Sequence, residues 1–149
     1  MLEILPSHLK AEITYHLYRE AIMAFRLLQN REQRFYSGYL LKFEPMRIKT
    51  GTVFINKGSK AIEVFFVISG YVESESGGKY YSKGQIFGES DIIYNRNRLD
   101  TFVAKIDCHI LRLKKSYFED IMDEFEDIKD DIYKVAEARE QQRLQEIME

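Results

Sequence analysis

The 149-residue sequence predicts a single α+β domain, in which helices come before and after a small closed sheet. Two features of the chain predict this class. Apolar residues near both ends recur at helical spacing, as they do along the buried face of an amphipathic helix. The middle of the chain is instead rich in β-branched and aromatic residues, and glycines divide it into short runs that are typical of strands joined by turns.

The first part of the chain is predicted to be helical. Its apolar residues suit one or two amphipathic helices over residues 7–28, and the segment Leu5-Pro6-Ser7 marks their start. A further short helix is predicted from residue 32 to about residue 43. Pro45 prevents its continuation, because proline has no backbone N–H and its ring clashes with the preceding turn.

Strands and turns are predicted to follow. Residues 47–54 and 64–72 have strand composition, and glycines stand at positions 51, 58 and 70. Residues 76–79, Ser-Gly-Gly-Lys, predict a tight hairpin because glycine adopts positive φ without strain, and residues 82–84 predict a second turn. The last strands are expected within residues 102–113. From residue 117 onward the apolar spacing is helical again, so the chain is expected to close with helix.

Composition and charge argue against several classes of function. The formal net charge of −2 does not suggest a nucleic-acid-binding surface. The single cysteine, Cys108, has no partner for a disulfide within the chain, which favours a reducing compartment and hence an intracellular protein. The sequence has no apolar run that is long enough to span a membrane and no signal-peptide pattern. The three histidines are scattered without metal-ligand spacing, so no metal site is expected.

The segment Gly84-Gln85-Ile86-Phe87-Gly88-Glu89 is the best candidate for ligand chemistry. A glycine lets backbone N–H groups come close to a ligand, and N–H groups at the start of a helix favour an anion. Arg98, a few residues later, is the cation that completes a phosphate site. Glu89 suits a neutral hydroxyl donor such as a ribose 2′-OH, because a carboxylate only accepts hydrogen bonds.

At these residues the sequence resembles the cyclic-nucleotide-binding domain family. The phosphate-binding cassette of that family runs Phe-Gly-Glu, a short apolar helix and then an arginine nine residues after the glutamate, and residues 87–89 with Arg98 match this interval. Gly51, Gly58 and Gly70 resemble the glycines of the family's β-roll. The resemblance implies an antiparallel, jelly-roll-like β-roll over about residues 45–113, closed by hinge and lid helices over about residues 115–148.

The resemblance also implies a ligand site and excludes catalysis. The implied ligand is cAMP or cGMP, with no other cofactor, and the protein is not expected to be an enzyme, because the sequence offers neither a metal site nor a nucleophile with a base. Asp91 and Leu99 would contribute backbone N–H groups. The candidate ligand-binding residues are Phe87, Gly88, Glu89, Ser90, Asp91, Arg98, Leu99, Thr101 and Arg139.

Two of these candidates have alternative interpretations. Arg139 would reach from the lid helix toward the purine, but an arginine among charged neighbours is also typical of a solvated helix face. Thr101 would supply a hydroxyl on the same side of a strand as Leu99, or serve only as a strand former. Leu99 stands where family members that favour cGMP commonly have threonine, so a mild preference for cAMP is expected.

The flanks of the chain suggest its larger context. Residues 5–13 resemble the end of the C-linker that joins the pore of cyclic-nucleotide-gated, hyperpolarisation-activated and related potassium channels to this domain. The implied division is C-linker helices over residues 1–30 and the binding domain over residues 31–149. The implied partners are the rest of a cation-channel subunit and its neighbours in a tetramer, with the domain on the cytoplasmic side, outside the bilayer and without nucleic acid.

Departures from the family pattern leave two hypotheses open. Asp91 stands where the family has a small residue, and Leu99-Asp100 replaces a pair of small residues. In the first hypothesis the domain senses a cyclic nucleotide, Arg98 bonds only to the ligand, and Arg98→Ala leaves the fold intact. In the second, Arg98 pairs with Asp91 or Asp100, and the domain is a non-binding module that couples to a pore by contacts alone.

Overall fold

The computed structural model describes Pro6, His8, Leu9, Glu12, Tyr15 and residues 18–149. Most of the helix predicted from residue 7, and most of the segment that resembles a C-linker, therefore lie outside the described residues. The described chain then forms helix α1 (Arg19–Ala24), a 3-10 turn (Arg26–Leu28), helix α2 (Gln33–Tyr39) and a second 3-10 turn (Leu40–Lys42). The predicted short helix is thus confirmed, and it ends before Pro45.

Eight strands and three more helices follow. In chain order they are β1 (Glu44–Ile48), β2 (Val53–Ile55), β3 (Glu63–Ser69), β4 (Tyr71–Ser74), β5 (Tyr80–Ser82), β6 (Ile86–Phe87), α3 (Glu89–Ile93), β7 (Phe102–Ala104), β8 (Cys108–Lys114), α4 (Lys115–Glu124) and α5 (Glu126–Met148). Pro45 is tolerated inside β1 because β1 is an edge strand that pairs only with β8.

The strands form two four-stranded antiparallel sheets, in the orders β1-β8-β3-β6 and β2-β7-β4-β5. This arrangement confirms the α+β class and the antiparallel β-roll. The predicted hairpin joins β4 to β5, and residues 83–85 join β5 to β6.

Glycine divides one predicted strand into β3 and β4. Gly70 has a φ of 113°, and a Cβ at this position would lie 2.7 Å from the Cα of Cys108. Only a glycine fits such a conformation and such a close approach. The chain therefore leaves the first sheet at this point and enters the second.

Strand β3 separates two hydrophobic cores. Side chains alternate across a strand, so Phe65 and Val67 face the core between the sheets, whereas Val64, Phe66 and Ile68 face the core beneath the helices. All five are buried, because both faces of this strand are covered. The helical core also contains Phe25, Phe35, Phe118, Phe125 and Ile128.

Candidate functional site

The candidate cassette begins at the junction of β6 and α3. Gly88 has a φ of 89° and comes directly before α3. A Cβ on Gly88 would lie 3.0 Å from Nη1 of Arg98 and 3.2 Å from a ring carbon of Phe65. A glycine is therefore required here, both for the left-handed backbone and for the close approach of the arginine.

A cleft of about 360 Å³ lies beside this junction. Helix α3, the hairpin before β5 and the C-terminal part of α5 enclose it, and Tyr81 and Phe102 contribute aromatic rings. The structure brings most of the predicted residues to this cleft. Those that line it are Gly88, Glu89, Ser90, Asp91, Arg98, Leu99 and Arg139.

Arg98 points inward, and its side chain is only 5% exposed. Its Nη1 donates to the carbonyl oxygen of Gly88 at 2.7 Å and to Oδ2 of Asp91 at 3.3 Å. Its Nη2 donates to the carbonyl oxygen of Glu63. Burial lowers the pKa of Arg98, and the charge of Asp91 opposes that change. The expectation that Arg98 bonds only to a ligand is therefore wrong, because two of these bonds hold backbone carbonyl groups.

Glu89 is a buried carboxylate that pairs with the last helix. Its Oε1 accepts a hydrogen bond of 2.6 Å from Nη1 of Arg139, and the guanidinium of Arg139 lies 4.9 Å from the ring centroid of Tyr81. Within the described part of the chain, Oε2 of Glu89 has no hydrogen-bond partner. Burial raises the pKa of Glu89, and the charge of Arg139 offsets part of that rise. The interpretation of Arg139 as a solvated helix face does not hold.

Three further charged residues belong to this site, and the sequence did not single them out. Arg96 donates to Oδ1 of Asp91 at 2.9 Å and to Oε2 of Glu140 at 2.6 Å. Glu140 also accepts a hydrogen bond from Arg143, one turn later on α5. Glu140 stands beside the candidate Arg139, and this position was the one signal in the sequence that it belongs to the site. The pairing of Arg96 with Glu140 could not be read from the sequence, because 44 residues separate them.

The comparison with protein families agrees with this geometry. The model of the family described as "Cyclic nucleotide-binding domain" matches residues 45–125, which is more than half of the chain. The chain belongs to the cyclic nucleotide-binding domain family. No curated protein sequence matches this domain significantly.

Solved structures show the same fold. One, described as "Sp-2Cl-cAMPS bound to PKAR CBD2", is 20% identical to this domain with a TM-score of 0.67, and the match covers 85% of this chain and 90% of that one. Another, described as "cAMP bound PfPKA-R", is 19% identical with a TM-score of 0.69, and the match covers 86% of this chain and 46% of that one. At this identity the likeness establishes the fold alone.

Two predicted residues of this cyclic nucleotide-binding domain do not reach the cleft. Phe87 is buried in the core, where its ring stacks on Phe65 and Tyr81 at centroid distances of 5.2 and 4.8 Å. Oγ1 of Thr101 accepts a hydrogen bond from the N–H of Lys57. Leu99 and Thr101 both precede β7 rather than lying on it, so the expectation that they share one side of a strand is wrong.

The structure also decides which aspartate pairs with Arg98. Asp100 accepts hydrogen bonds from the hydroxyl of Ser76 and the N–H of Thr101, whereas Asp91 contacts the guanidinium of Arg98.

Among the described residues, no group of three or more His, Cys, Asp or Glu side chains is placed to hold a metal ion. No helix in that same part of the chain is long and apolar enough to cross a bilayer.

Proposed function

We propose that this domain binds a 3′,5′-cyclic nucleotide in the cleft between the β-roll and α5. One observation carries the proposal: a buried carboxylate with an unpartnered oxygen, Glu89, and a buried guanidinium, Arg98, line the same cleft. Arg98 takes the phosphate, because a guanidinium makes charge-assisted bonds to phosphate oxygens. Glu89 accepts a hydrogen bond from the ribose 2′-OH, which satisfies the buried oxygen.

The rest of the cleft supports an aromatic ligand. Tyr81 and Phe102 line it, and their ring centroids are 5.9 Å apart. The cation of Arg139 already lies over the ring of Tyr81, and the same side chain on α5 faces the purine in the proposed complex. A volume of about 360 Å³ is within the usual range for small-ligand sites, roughly 300 to 1,000 Å³.

The proposed role is regulatory. In this proposal, the domain lies on the cytoplasmic side of a tetrameric cation channel and transmits binding through α5 to the C-linker. The resemblance of residues 5–13 to a channel C-linker supports this context. A physical path supports it as well: α5 lines the cleft through Arg139, and Asp127 near its start pairs with Arg31 at 2.6 Å, on the side of the N-terminal helices.

One contact favours the second hypothesis, a non-binding coupling module. Oδ2 of Asp91 lies 3.3 Å from Nη1 of Arg98, where a phosphate oxygen would lie. Two anions that share one guanidinium repel each other, so Asp91 reduces the affinity for a phosphate. If Asp91 blocks binding altogether, α5 couples to its neighbours through fixed contacts alone.

Isothermal titration of the folded domain with cAMP and with cGMP distinguishes the two hypotheses. Binding of either nucleotide, with a matching rise in melting temperature, is expected if the domain is a sensor. The control is 5′-AMP, which has the same base but an open phosphate ester with additional charge. If neither cyclic nucleotide gives heat or a thermal shift, the domain is a coupling module.

We further propose a mild preference for cAMP over cGMP. Leu99 lines the cleft and has no hydroxyl group, so the amino group of guanine has one partner fewer there than it would have beside threonine. One hydrogen bond corresponds to about 0.5 to 1.5 kcal/mol, or a several-fold difference in affinity. Leu99→Thr is therefore expected to improve the Kd for cGMP relative to that for cAMP. A wild type that prefers cGMP, or a variant with an unchanged ratio of the two constants, contradicts this assignment.

A further inference from the structure

Five side chains of alternating charge connect the candidate phosphate site to α5. Arg98 contacts Asp91, Asp91 accepts from Arg96 at 2.9 Å, Arg96 donates to Glu140 at 2.6 Å, and Glu140 accepts from Arg143 at 3.1 Å. We call these five residues the charge relay. Asp91 belongs to α3 and Glu140 to α5, so the relay crosses the cleft from the cassette to the last helix.

The charge relay is shielded from solvent along most of its length. The exposed fractions of its side chains run from 5% for Arg98 to 26% for Arg143. Charges in such an environment are screened less than surface charges, so a change at one member is felt by the next. Asp91 links the phosphate end of the charge relay to the rest, because one of its oxygens contacts Arg98 and the other contacts Arg96.

We propose that Asp91 is an internal anion that the nucleotide phosphate displaces from Arg98, and that this displacement reaches α5 through Arg96 and Glu140. The proposal rests on the proposed function of the cleft and describes how that same site is regulated. Asp91 then lowers the affinity of the site and at the same time makes the position of α5 depend on the ligand.

Shared charges connect a bound phosphate to α5. A phosphate at Arg98 repels the carboxylate of Asp91, which then shifts toward Arg96. Arg96 bonds to Asp91 through Nε and to Glu140 through Nη1 of one rigid guanidinium, so a shift of Asp91 that turns the guanidinium also moves the group that bonds to Glu140. The contact between Arg96 and α5 therefore differs with and without phosphate at Arg98, and such a difference is what allows a ligand to shift a conformational equilibrium.

The first test measures affinity. Asp91→Asn keeps the shape of the side chain and removes its charge, and it is expected to lower the Kd for cAMP by at least about five-fold, the lower end of typical coupling effects. The matched control is Asp131→Asn, which makes the same change at an exposed position of α5 and leaves the Kd unchanged. If Asp91→Asn does not fold, Asp91→Ser provides the same measurement with a small neutral side chain.

The second test measures transmission. Hydrogen exchange of α5 beyond residue 137 is compared with and without cAMP in the wild type and in Arg96→Gln, which breaks the relay between Asp91 and Glu140. Each protein is measured at a cAMP concentration that saturates it, and the change in exchange on binding is expected to be largely lost in the variant. Arg112→Gln is the control, because Arg112 pairs with Glu44 on the first sheet, and it keeps the full change.

The outcomes separate the two proposals. If the wild type binds cAMP and neither Asp91→Asn nor Asp91→Ser binds it more tightly, Asp91 is not an internal competitor and the inference is overturned, while the proposed function stands. If Arg96→Gln keeps the full exchange response, the relay does not carry the signal. If the Asp91 variants bind cAMP and the wild type does not, Asp91 blocks the site instead of being displaced, and both the inference and the proposed sensor function are overturned. If neither the wild type nor any variant binds cAMP or cGMP, the proposed function itself is wrong.

Discussion

Helix α5 is held at its start and at its middle by different forces. At its start, the ring of Phe125 packs edge-on against Phe35 at 5.2 Å, while the nearby ion pair of Arg34 with Glu124 has side chains that are 50% and 38% exposed. At its middle, Arg139 pairs with Glu89, whose side chain is only 2% exposed. Charge is therefore peripheral in the first region and buried in the second.

Similar ion pairs therefore have different consequences in the two regions. An exposed pair contributes little, because water already solvates both groups. A buried pair contributes little as a whole, but removal of one member leaves the other charge buried without a partner, which is strongly destabilising. We call the junction of α4 and α5 at Phe125 the hinge, and we expect aromatic packing to determine stability there, whereas charges determine both stability and binding at the cleft.

The largest effect on stability is expected for the buried ring of Phe125. Phe125→Ala removes a buried ring between α4 and α5, and it is expected to lower the free energy of unfolding by about 3 to 5 kcal/mol. Denaturant unfolding measures this loss. Val135→Ala, at an exposed position of α5, is the control and is expected to change stability little. A loss below about 1 kcal/mol for Phe125→Ala contradicts the proposed importance of aromatic packing.

The second effect concerns the cassette arginine. Arg98→Ala is expected to abolish nucleotide binding and also to lower the free energy of unfolding by about 2 to 3 kcal/mol, because the carbonyl groups of Gly88 and Glu63 lose their donor and Asp91 loses a cation. Titration and denaturant unfolding of the same preparation measure both quantities. If the variant loses binding at unchanged stability, these bonds to the backbone carry no net energy.

The third effect isolates the buried pair. Arg139→Ala leaves Glu89 buried without its cation, and we expect a loss of about 2 kcal/mol at pH 7. Burial already raises the pKa of Glu89, and loss of Arg139 raises it further. A carboxyl whose pKa is raised on folding destabilises the folded state as the pH rises from its unfolded pKa through its folded one. The deficit relative to the wild type is therefore larger at pH 7 than at pH 4.

The double variant Glu89→Gln/Arg139→Ala serves as the control for this experiment. It removes the titrating group, so its deficit relative to Glu89→Gln should not depend on pH. A deficit of Arg139→Ala that is equal at the two pH values assigns the loss to packing of the arginine side chain rather than to the charge of Glu89.

The smallest effect is expected for the exposed hinge pair. Arg34→Gln removes the bonds of Arg34 to Glu32 and Glu124 and its contact with the ring of Phe125, whose centroid lies 4.6 Å from the guanidinium. The denaturation midpoint is expected to fall only slightly, because the three charged groups are partly solvated and a cation over a ring at such a site contributes little. The matched comparison is Arg139→Gln at the cleft, which should lower the midpoint clearly. Equal shifts for these two substitutions would remove the distinction between the hinge and the cleft.

Much of the fold could be predicted because its signals are local. The hairpin at residues 76–79 depends on backbone conformations that glycine adopts readily, and the closing helices depend on the spacing of apolar residues. The resemblance implied two closing helices, but the position of the break between α4 and α5, at residue 125, was not predicted. The apolar spacing continues across it, since Phe125 is buried on the same side as Ile121 and Ile128.

At the candidate site, the Phe-Gly-Glu motif is enough to show which residues begin α3 and that a glycine precedes them. What these residues contact depends on how the strands and helices pack. The motif placed Arg98 near Gly88, but the direction of the guanidinium depends on the carbonyl of Glu63, which β3 brings to the same point. Ion pairs such as that of Arg96 with Glu140 depend on the distance between the two groups and on their burial in the folded chain. The spacing of residues along the sequence indicates neither the distance nor the burial.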